Sequence, residues 1–365
     1  MILHTPENQK EYLNLVIKTI AQRIAPSEAM FSQAESTYTA VTNALNRSDR
    51  LKLLHPKLRA QGSMRLGTCI RSHKHDNSFD VDIIVELRYV PASWTQKDVK
   101  EAVLEAILSD PIYGKILKDQ NGGRRCVTIV YADGSHVDLL PCAISELYIQ
   151  SLNARSVTPE NYVLAITDRK HWGYATETDK NFWPQSNPIG YADWFLQIAR
   201  KNEFKHKGAS ALLIRAEVET FPRYQRPENK NILQQIVMLL KRHRDMMFDG
   251  HDDMPVSILL TTLAALAYDN APVGDLWETF CNVAEHMTDF IQYRDGKPIV
   301  VNPVNHNENF ADKWPEKPQK QEFFFKWINQ LRSDINDIIR LEGDAYKNRL
   351  KLMFGDIATA GARSI

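Results

Sequence analysis

QGSMRLGTCIRSHKHDNSFDVDIIVE, Gln61 to Glu86, is the stretch on which the reading of the whole chain turns. Its second half opens the β-branched run Asp80-Val81-Asp82-Ile83-Ile84-Val85. Side chains alternate across a strand, so Asp80 and Asp82 share one face while Val81, Ile83 and Val85 share the other. The apolar face can enter a core. The acidic face repels itself unless a divalent cation neutralises it. The first half carries Gly62-Ser63 ahead of Met64 to Cys69, a segment long enough for one or two helical turns. A loop entering a helix offers free backbone N–H groups and a dipole that favours phosphate. Glycine permits close backbone approach and serine adds a hydroxyl donor. Asp-x-Asp alone is most often a solvated turn. A strand position next to a phosphate cradle is a different matter, because nucleotidyl transfer needs both parts.

A third carboxylate is then expected from a neighbouring strand. Arg124 to Ala143, RRCVTIVYADGSHVDLLPCA, reads as a hairpin with Arg125 to Tyr131 going up and His136 to Leu140 returning. Ala132-Asp133-Gly134 makes the turn, Asp-Gly being a favoured hairpin tip. On the return strand His136, Asp138 and Leu140 share a face. Asp138 is an acid inside an apolar strand, which calls for a partner or a metal. Asp133 belongs to the turn.

Gly-Ser, a strand bearing Asp-x-Asp and a later strand bearing one Asp together resemble the polymerase-β-type nucleotidyltransferase superfamily. QGSMRLGT followed by FDVDIIVEL is similar to the bacterial cGAS/DncV-like nucleotidyltransferases, the CD-NTases. LLKRHRD at Leu239 to Asp245, MPVSILLTTL at Met254 to Leu263 and NPVNHNENFADKW at Asn302 to Trp314 look like that family's later landmarks, in the same order. The resemblance implies an α+β, bilobed molecule: a polymerase-β-like mixed sheet with helices, and an α-helical C-terminal lobe. Residues 1–50 would brace both lobes, 51–190 form the nucleotidyltransferase core and 191–365 the helical lobe. It further implies a cyclic oligonucleotide synthase that makes a second messenger for anti-phage defence. Asp80, Asp82 and Asp138 are expected to hold two Mg²⁺ ions, with Mn²⁺ able to substitute, and to carry catalysis. Gln61, Gly62, Ser63, Lys241, Ser257 and Asn305 are expected to contact nucleotide. The implied partners are ATP and other nucleoside triphosphates, with a HORMA-type protein or a ubiquitin-like conjugation enzyme as regulator. Two rival functions stay open on the residues alone. One is a non-cyclising transferase acting on RNA, a protein or a small molecule. The other is a non-catalytic nucleotide-binding module.

Composition sets the outer limits. The chain has 365 residues, enough for a sizeable core in one large domain or two lobes. Its 45 basic and 45 acidic residues cancel, so no global field favours a long nucleic acid. The N-terminus lacks the charged and apolar regions of a signal peptide, and no run approaches a membrane span. Cys69, Cys126, Cys142 and Cys281 have no zinc spacing and read as reduced thiols in a cytoplasmic protein.

Along the chain, residues 7–47 read as two helices divided at Pro26, with Ser27 capping the second. Thr95 starts a helix with Val99, Val103, Leu104, Ile107 and Leu108 on one face. Tyr113 to Leu117 is expected as a short strand, and alternating helices and strands suggest a mixed sheet with helices on one side. Trp172, Tyr174, Phe182 and Trp183 lie in an irregular stretch; a loop pinned to the body is favoured over base stacking. Helices are expected at Asp193 to Lys201, Asn229 to Phe248, Met254 to Tyr268, Val273 to Gln292, Gln321 to Leu341 and Ala345 to Phe354. Lys241 is placed at the end of the second of these. Arg242 and Arg244 are read as solvated charge at that helix end. His73-Lys74-His75 is read as solvated surface, Glu308 and Asp312 as loop and cap residues, and Gly355 to Ile365 as a frayed tail.

Overall fold

The Asp-x-Asp run folds as a strand, and the molecule is built around it. The computed structural model describes residues 1–74, 78–117, 123–154, 158–207, 221–272, 274–356 and 360. Helices α1 (Glu7–Ile24), α2 (Glu28–Arg47) and α3 (Asp49–Lys52) precede strand β1 (Pro56–Ala60). The short helix α4 (Gly62–Leu66) leads to β2 (Asp80–Leu87), α5 (Gln96–Leu108) and α6 (Tyr113–Ile116). The hairpin of β3 (Val127–Val130) and β4 (His136–Ile144) follows, then α7 (Glu146–Asn153), β5 (Leu164–Ile166) and β6 (Gln185–Ser186). The C-terminal part contains α8 (Pro188–Lys207), α9 (Ile232–Phe248), α10 (Ser257–Asn270) and α11 (Leu276–His286). It continues through β7 (Gln292–Arg294), β8 (Lys297–Ile299), β9 (Val301–Asn302) and β10 (Asn305–Asn309) to α12 (Pro318–Arg340) and α13 (Gly343–Phe354).

The central sheet runs β1-β2-β4-β5-β6, with β3 also on β4. β2 and β4 are parallel, and the other pairs are antiparallel, so the sheet is mixed. Val81, Ile83 and Val85 of β2 pack with Val137 and Leu139 of β4 against α2 and α5. Burying such side chains is worth about 1.5–3 kcal/mol each. A slip of one residue would bury Asp82 instead, so the apolar face fixes the register that aims the acids. The opposite face carries Ile84, Leu140, Cys142 and Ile144, packed against Tyr148 of α7 and Ile189 of α8. Helices therefore cover both faces, not one.

A second, larger core joins α1 to the helices from α8 onward. The two N-terminal helices divide between the cores: Leu13, Val16 and Ile17 of α1 enter the helical one, and Tyr38 and Val41 of α2 enter the sheet's. Ser27 caps α2 by accepting from Met30 N, and Thr95 caps α5 in a capping box with Asp98. Tyr113 to Ile116 is a helical turn rather than the expected strand. Asp110 accepts from the N–H groups of Ile112 and Tyr113 and so nucleates the turn. Tyr113 and Leu117, spaced for alternation, are also one turn apart, and both are buried. The expected helix Val273 to Gln292 is shorter, with Asp275 capping α11 and the β7–β8 hairpin beginning at Gln292. Val273, His75 and most of the tail beyond Gly355 lie outside the described residues. No helix among the described residues is long and apolar enough to cross a membrane.

Candidate active site

Parallel pairing of β2 with β4 sets Asp80 opposite His136 and Asp82 opposite Asp138. Asp82 and Asp138 thus come side by side on one face, and alternation puts Asp80 at its rim, where its side chain is 76% exposed. β3 supports the row from the other edge of β4: Thr128 pairs with Asp138, and its Oγ1 donates to Asp138 Oδ1 at 2.5 Å. Burial raises the Asp82 carboxyl to about 7, with the charges of Asp138 and Asp80 adding to it and Lys241 opposing. The turn before α4 lies directly against this acid. Gly62 has φ +61°, and a Cβ there would stand 2.1 Å from Asp82 Oδ2, so position 62 requires glycine on both counts. Gln61 N donates to Asp82 O at 2.9 Å, which ties the turn to the strand.

The opposing wall comes from α9 and α10. Lys241, Arg244, Ser257 and Thr261 line the same cavity of about 600 Å³ as Gly62, Ser63, Asp80, Asp82 and Asp138. Lys241 is 7% exposed and lies in the middle of α9, not at its end. Its Nζ donates to Thr68 O at 3.0 Å, and burial lowers its pKa below the usual lysine value. Ser63 Oγ stands 3.0 Å from Cys69 Sγ, inside the same cavity.

Arg242 and Arg244 correct the reading of this run as solvated charge. Both are buried, because α9 is packed on every side from Leu233 to Arg244. Arg242 Nη2 donates to Arg71 O at 2.5 Å. Arg244 is gripped by Asp245 and donates to Ser257 Oγ at 2.8 Å and Pro255 O at 3.1 Å. It is a cavity residue that sequence reasoning missed; its place three residues after Lys241, on the same helix face, was the available signal. His73 and Lys74 also line the cavity and pair with Asp249, so they are not free surface groups.

Several expected contacts lie elsewhere. The Gln61 side chain is not among the groups lining this cavity. Asn305 is carried by β10 into a different cleft, bordered by Ser145, Gln185 and Asn307. The structure does not bring it to the aspartates: β10 pairs with β9 and packs beside the end strand β6, and Asn305 lines the cleft there. Trp183 is buried and donates to Glu177 O, whereas Trp172 and Phe182 are exposed. None of the four aromatic residues faces the aspartate cavity. Glu308 is more than a loop residue: it accepts from Ser186 Oγ at 2.9 Å and Asn302 Nδ2 at 2.8 Å and joins the sheet edge to β9. It lines a second cavity of about 810 Å³ with Arg125, Thr128 and Gln185. Asp138 borders this one as well, so a single carboxylate faces both cavities.

Among the described residues no three His, Cys, Asp or Glu side chains close tightly around a cation-sized point. The aspartates instead form one wall of like charges, with Asp82 held up near neutrality. A row of hard carboxylate oxygens whose charge the protein offsets only in part fits Mg²⁺ or Mn²⁺ chemically.

Comparison with known proteins agrees with this geometry. Residues 13–154 match the Second Messenger Oligonucleotide or Dinucleotide Synthetase domain. A c-di-GMP synthase of Roseivirga ehrenbergii is 26% identical over 356 residues, covering 96% of this chain and 86% of the relative. The fold matches the Bradyrhizobium diazoefficiens CD-NTase CdnG, solved with GTP, at TM-score 0.70 and 21% identity, over 98% of this chain and 99% of that one. It also matches E. coli MS115-1 CdnC, solved in a complex with HORMA-deltaN, at TM-score 0.60 and 14% identity, over 93% and 97% of the two chains.

Proposed function

We propose that this chain, which belongs to the bacterial CD-NTases, joins nucleoside triphosphates into a cyclic oligonucleotide that serves as a second messenger in anti-phage defence. The observation that carries the reading is the position of Asp138. It stands in register with Asp82 and faces both cavities, so a donor triphosphate on one side and an acceptor ribose on the other can meet at one carboxylate row. GTP is the first substrate to try, given a relative named as a c-di-GMP synthase and another solved with GTP.

Asp80, Asp82 and Asp138 would hold two Mg²⁺ ions, which when bound supply charge neutralisation at the α-phosphate and activation of the attacking hydroxyl. The Gly62 backbone and the Ser63 hydroxyl would hold the β- and γ-phosphates, with Lys241 countering their charge and Ser257 donating beside it. Lys241 gives one N–H to Thr68 O and keeps two donors for the ligand. Arg244 would orient Ser257 rather than move toward the phosphates, since Asp245 already engages its guanidinium. The ribose hydroxyl oxygen bonds the α-phosphorus and gives its proton to the Asp138 carboxylate, while the bond to the bridging β-oxygen breaks and pyrophosphate leaves. Ring closure is a second transfer of the same kind after the linear product turns over. A regulator of the HORMA type is the partner suggested by the CdnC complex.

The test is incubation of purified protein with labelled ATP, GTP, CTP and UTP in Mg²⁺ or Mn²⁺, beside an Asp80→Ala/Asp82→Ala double variant. A phosphatase-resistant cyclic product, identified by mass and absent from the variant, is the expected result. A linear or transferred nucleotide would overturn cyclisation and leave only nucleotidyl transfer.

A further inference from the structure

A helix end leaves its last carbonyls without intrahelical partners. At the end of α4, the carbonyl of its last residue and those of the two residues after it are met, one after another, from outside. Gln234 Nε2 donates to Leu66 O at 2.8 Å, Lys230 Nζ to Gly67 O at 2.7 Å and Lys241 Nζ to Thr68 O at 3.0 Å. The same segment closes back on the phosphate turn, where Thr68 N donates to Ser63 O at 2.9 Å and Gly67 N to Met64 O at 3.2 Å. Gly67 has φ +68°, the left-handed region that favours glycine, and the Gln234 amide occupies the space a Cβ would take. Gln234 is 3% exposed, and neither Gln234 nor Lys230 lines the cavity. Both sit where the α9 side of the helical core meets the turn that follows β1.

We infer that Gln234 and Lys230 are positioning residues for triphosphate binding. They hold the Gly62–Ser63 turn at a fixed distance from Lys241, so the two phosphate-facing elements, one from each core, keep a common register before nucleotide arrives. This rests on the triphosphate assignment made above. Without the two bonds, the polar ties from α9 to this segment among the described residues are those of Lys241 to Thr68 O and Arg242 to Arg71 O. Lys241 would then have to hold Thr68 O and counter the phosphates while its target drifts.

The test measures the affinity of full-length protein for a non-hydrolysable GTP analogue with Mg²⁺ by calorimetry, together with melting midpoints, KM and kcat. Gln234→Met removes the donor to Leu66 O without adding charge; it also removes the Oε1 that accepts from Asn231 N, half of the α9 capping box, while Asn231 Oδ1 still accepts from the backbone N–H at 234, and the melting midpoint reports that loss separately. Loss of a buried hydrogen bond from a preset site is expected to weaken the analogue about tenfold and raise KM by the same factor. kcat should stay within about threefold. Lys230→Met, at a partly exposed position, is expected to show the same split with a smaller shift, and Lys230→Arg to restore most of it. Variants that bind the analogue as tightly as wild type, even with a lowered melting midpoint, would overturn the positioning role. If Gln234→Met does not fold, the Lys230 pair decides alone. Failure of the wild type itself to bind the analogue would overturn the triphosphate assignment, and this inference with it.

Discussion

The two walls of the aspartate cavity differ in how complete each is without a ligand. The sheet wall sets Asp80, Asp82 and Asp138 in a row on one strand face, and the charge of Lys241 across the cavity offsets their repulsion only in part; burial and like charges push Asp82 up to about 7. The helical wall is already satisfied: Lys241 is on Thr68 O, and Arg244 is on Asp245, Pro255 O and Ser257. One wall carries electrostatic repulsion that is only partly relieved, and the other is preorganised. Relief of that repulsion favours cation binding at the sheet, whereas the helical wall contributes placement, since its groups need little rearrangement when phosphate arrives.

The largest effect that would break this contrast is at Asp82. Asp82→Asn should lower turnover by roughly 10³-fold or more, because the carboxylate row loses its central member. The same variant should melt higher than wild type in metal-free buffer at pH 8. The sign follows from the raised carboxyl. Between the unfolded value near 4 and the folded value of about 7 the native state binds the extra proton, so stability falls as pH rises through that window. The advantage of Asp82→Asn should therefore be about 3 kcal/mol larger at pH 8 than at pH 5, at about 1.36 kcal/mol per pKa unit. An advantage that does not grow with pH would remove the repulsion from the sheet wall.

On the helical wall the expected loss is smaller and of another kind. Lys241→Met should raise KM for triphosphate about 10–100-fold, the value of one or two charge-assisted hydrogen bonds, with a lesser change in kcat. If kcat fell as far as KM rose, Lys241 would act on the transition state and the wall would do more than position. The smallest effect is at Trp172, which is 72% exposed and faces neither cavity. Trp172→Ala should leave KM within about twofold, and a larger loss would restore the stacking role that the geometry does not support.

The sheet wall was the more legible in sequence for the same reason that it is simple. Strand alternation has period two and acts locally, so the shared face of Asp80 and Asp82 can be read from adjacent letters, and Asp133-Gly134 announces the hairpin that returns Asp138. The parallel pairing of β2 with β4 cannot be read that way, because register between distant strands is set by packing on α2 and α5. The helical wall depended on how deeply α9 is packed. Lys241 to Arg244 looks like solvated charge near a helix end, but the helix, expected to reach Phe248 and found to do so, is packed on every side over this run, which is why Arg244 was missed. Asn305 was placed by family resemblance alone, and the β9–β10 ladder takes it into another cleft. The β7–β8 hairpin went unread, though Asp295 and Gly296 at its tip, both at positive φ, carry the same Asp-Gly signal that revealed β3–β4.

The most direct test of two walls acting on one ligand is Mn²⁺ binding measured with and without a saturating non-hydrolysable GTP analogue, for wild type and Asp82→Asn. Cation on the sheet and triphosphate on the helices should favour each other, and by linkage each should tighten the other by the same factor. The expected result is at least tenfold tighter Mn²⁺ binding with the analogue present, and loss of that gain in Asp82→Asn. Mn²⁺ affinity indifferent to both the analogue and Asp82 would contradict the assignment of the carboxylate row and the phosphate-facing helices to one site.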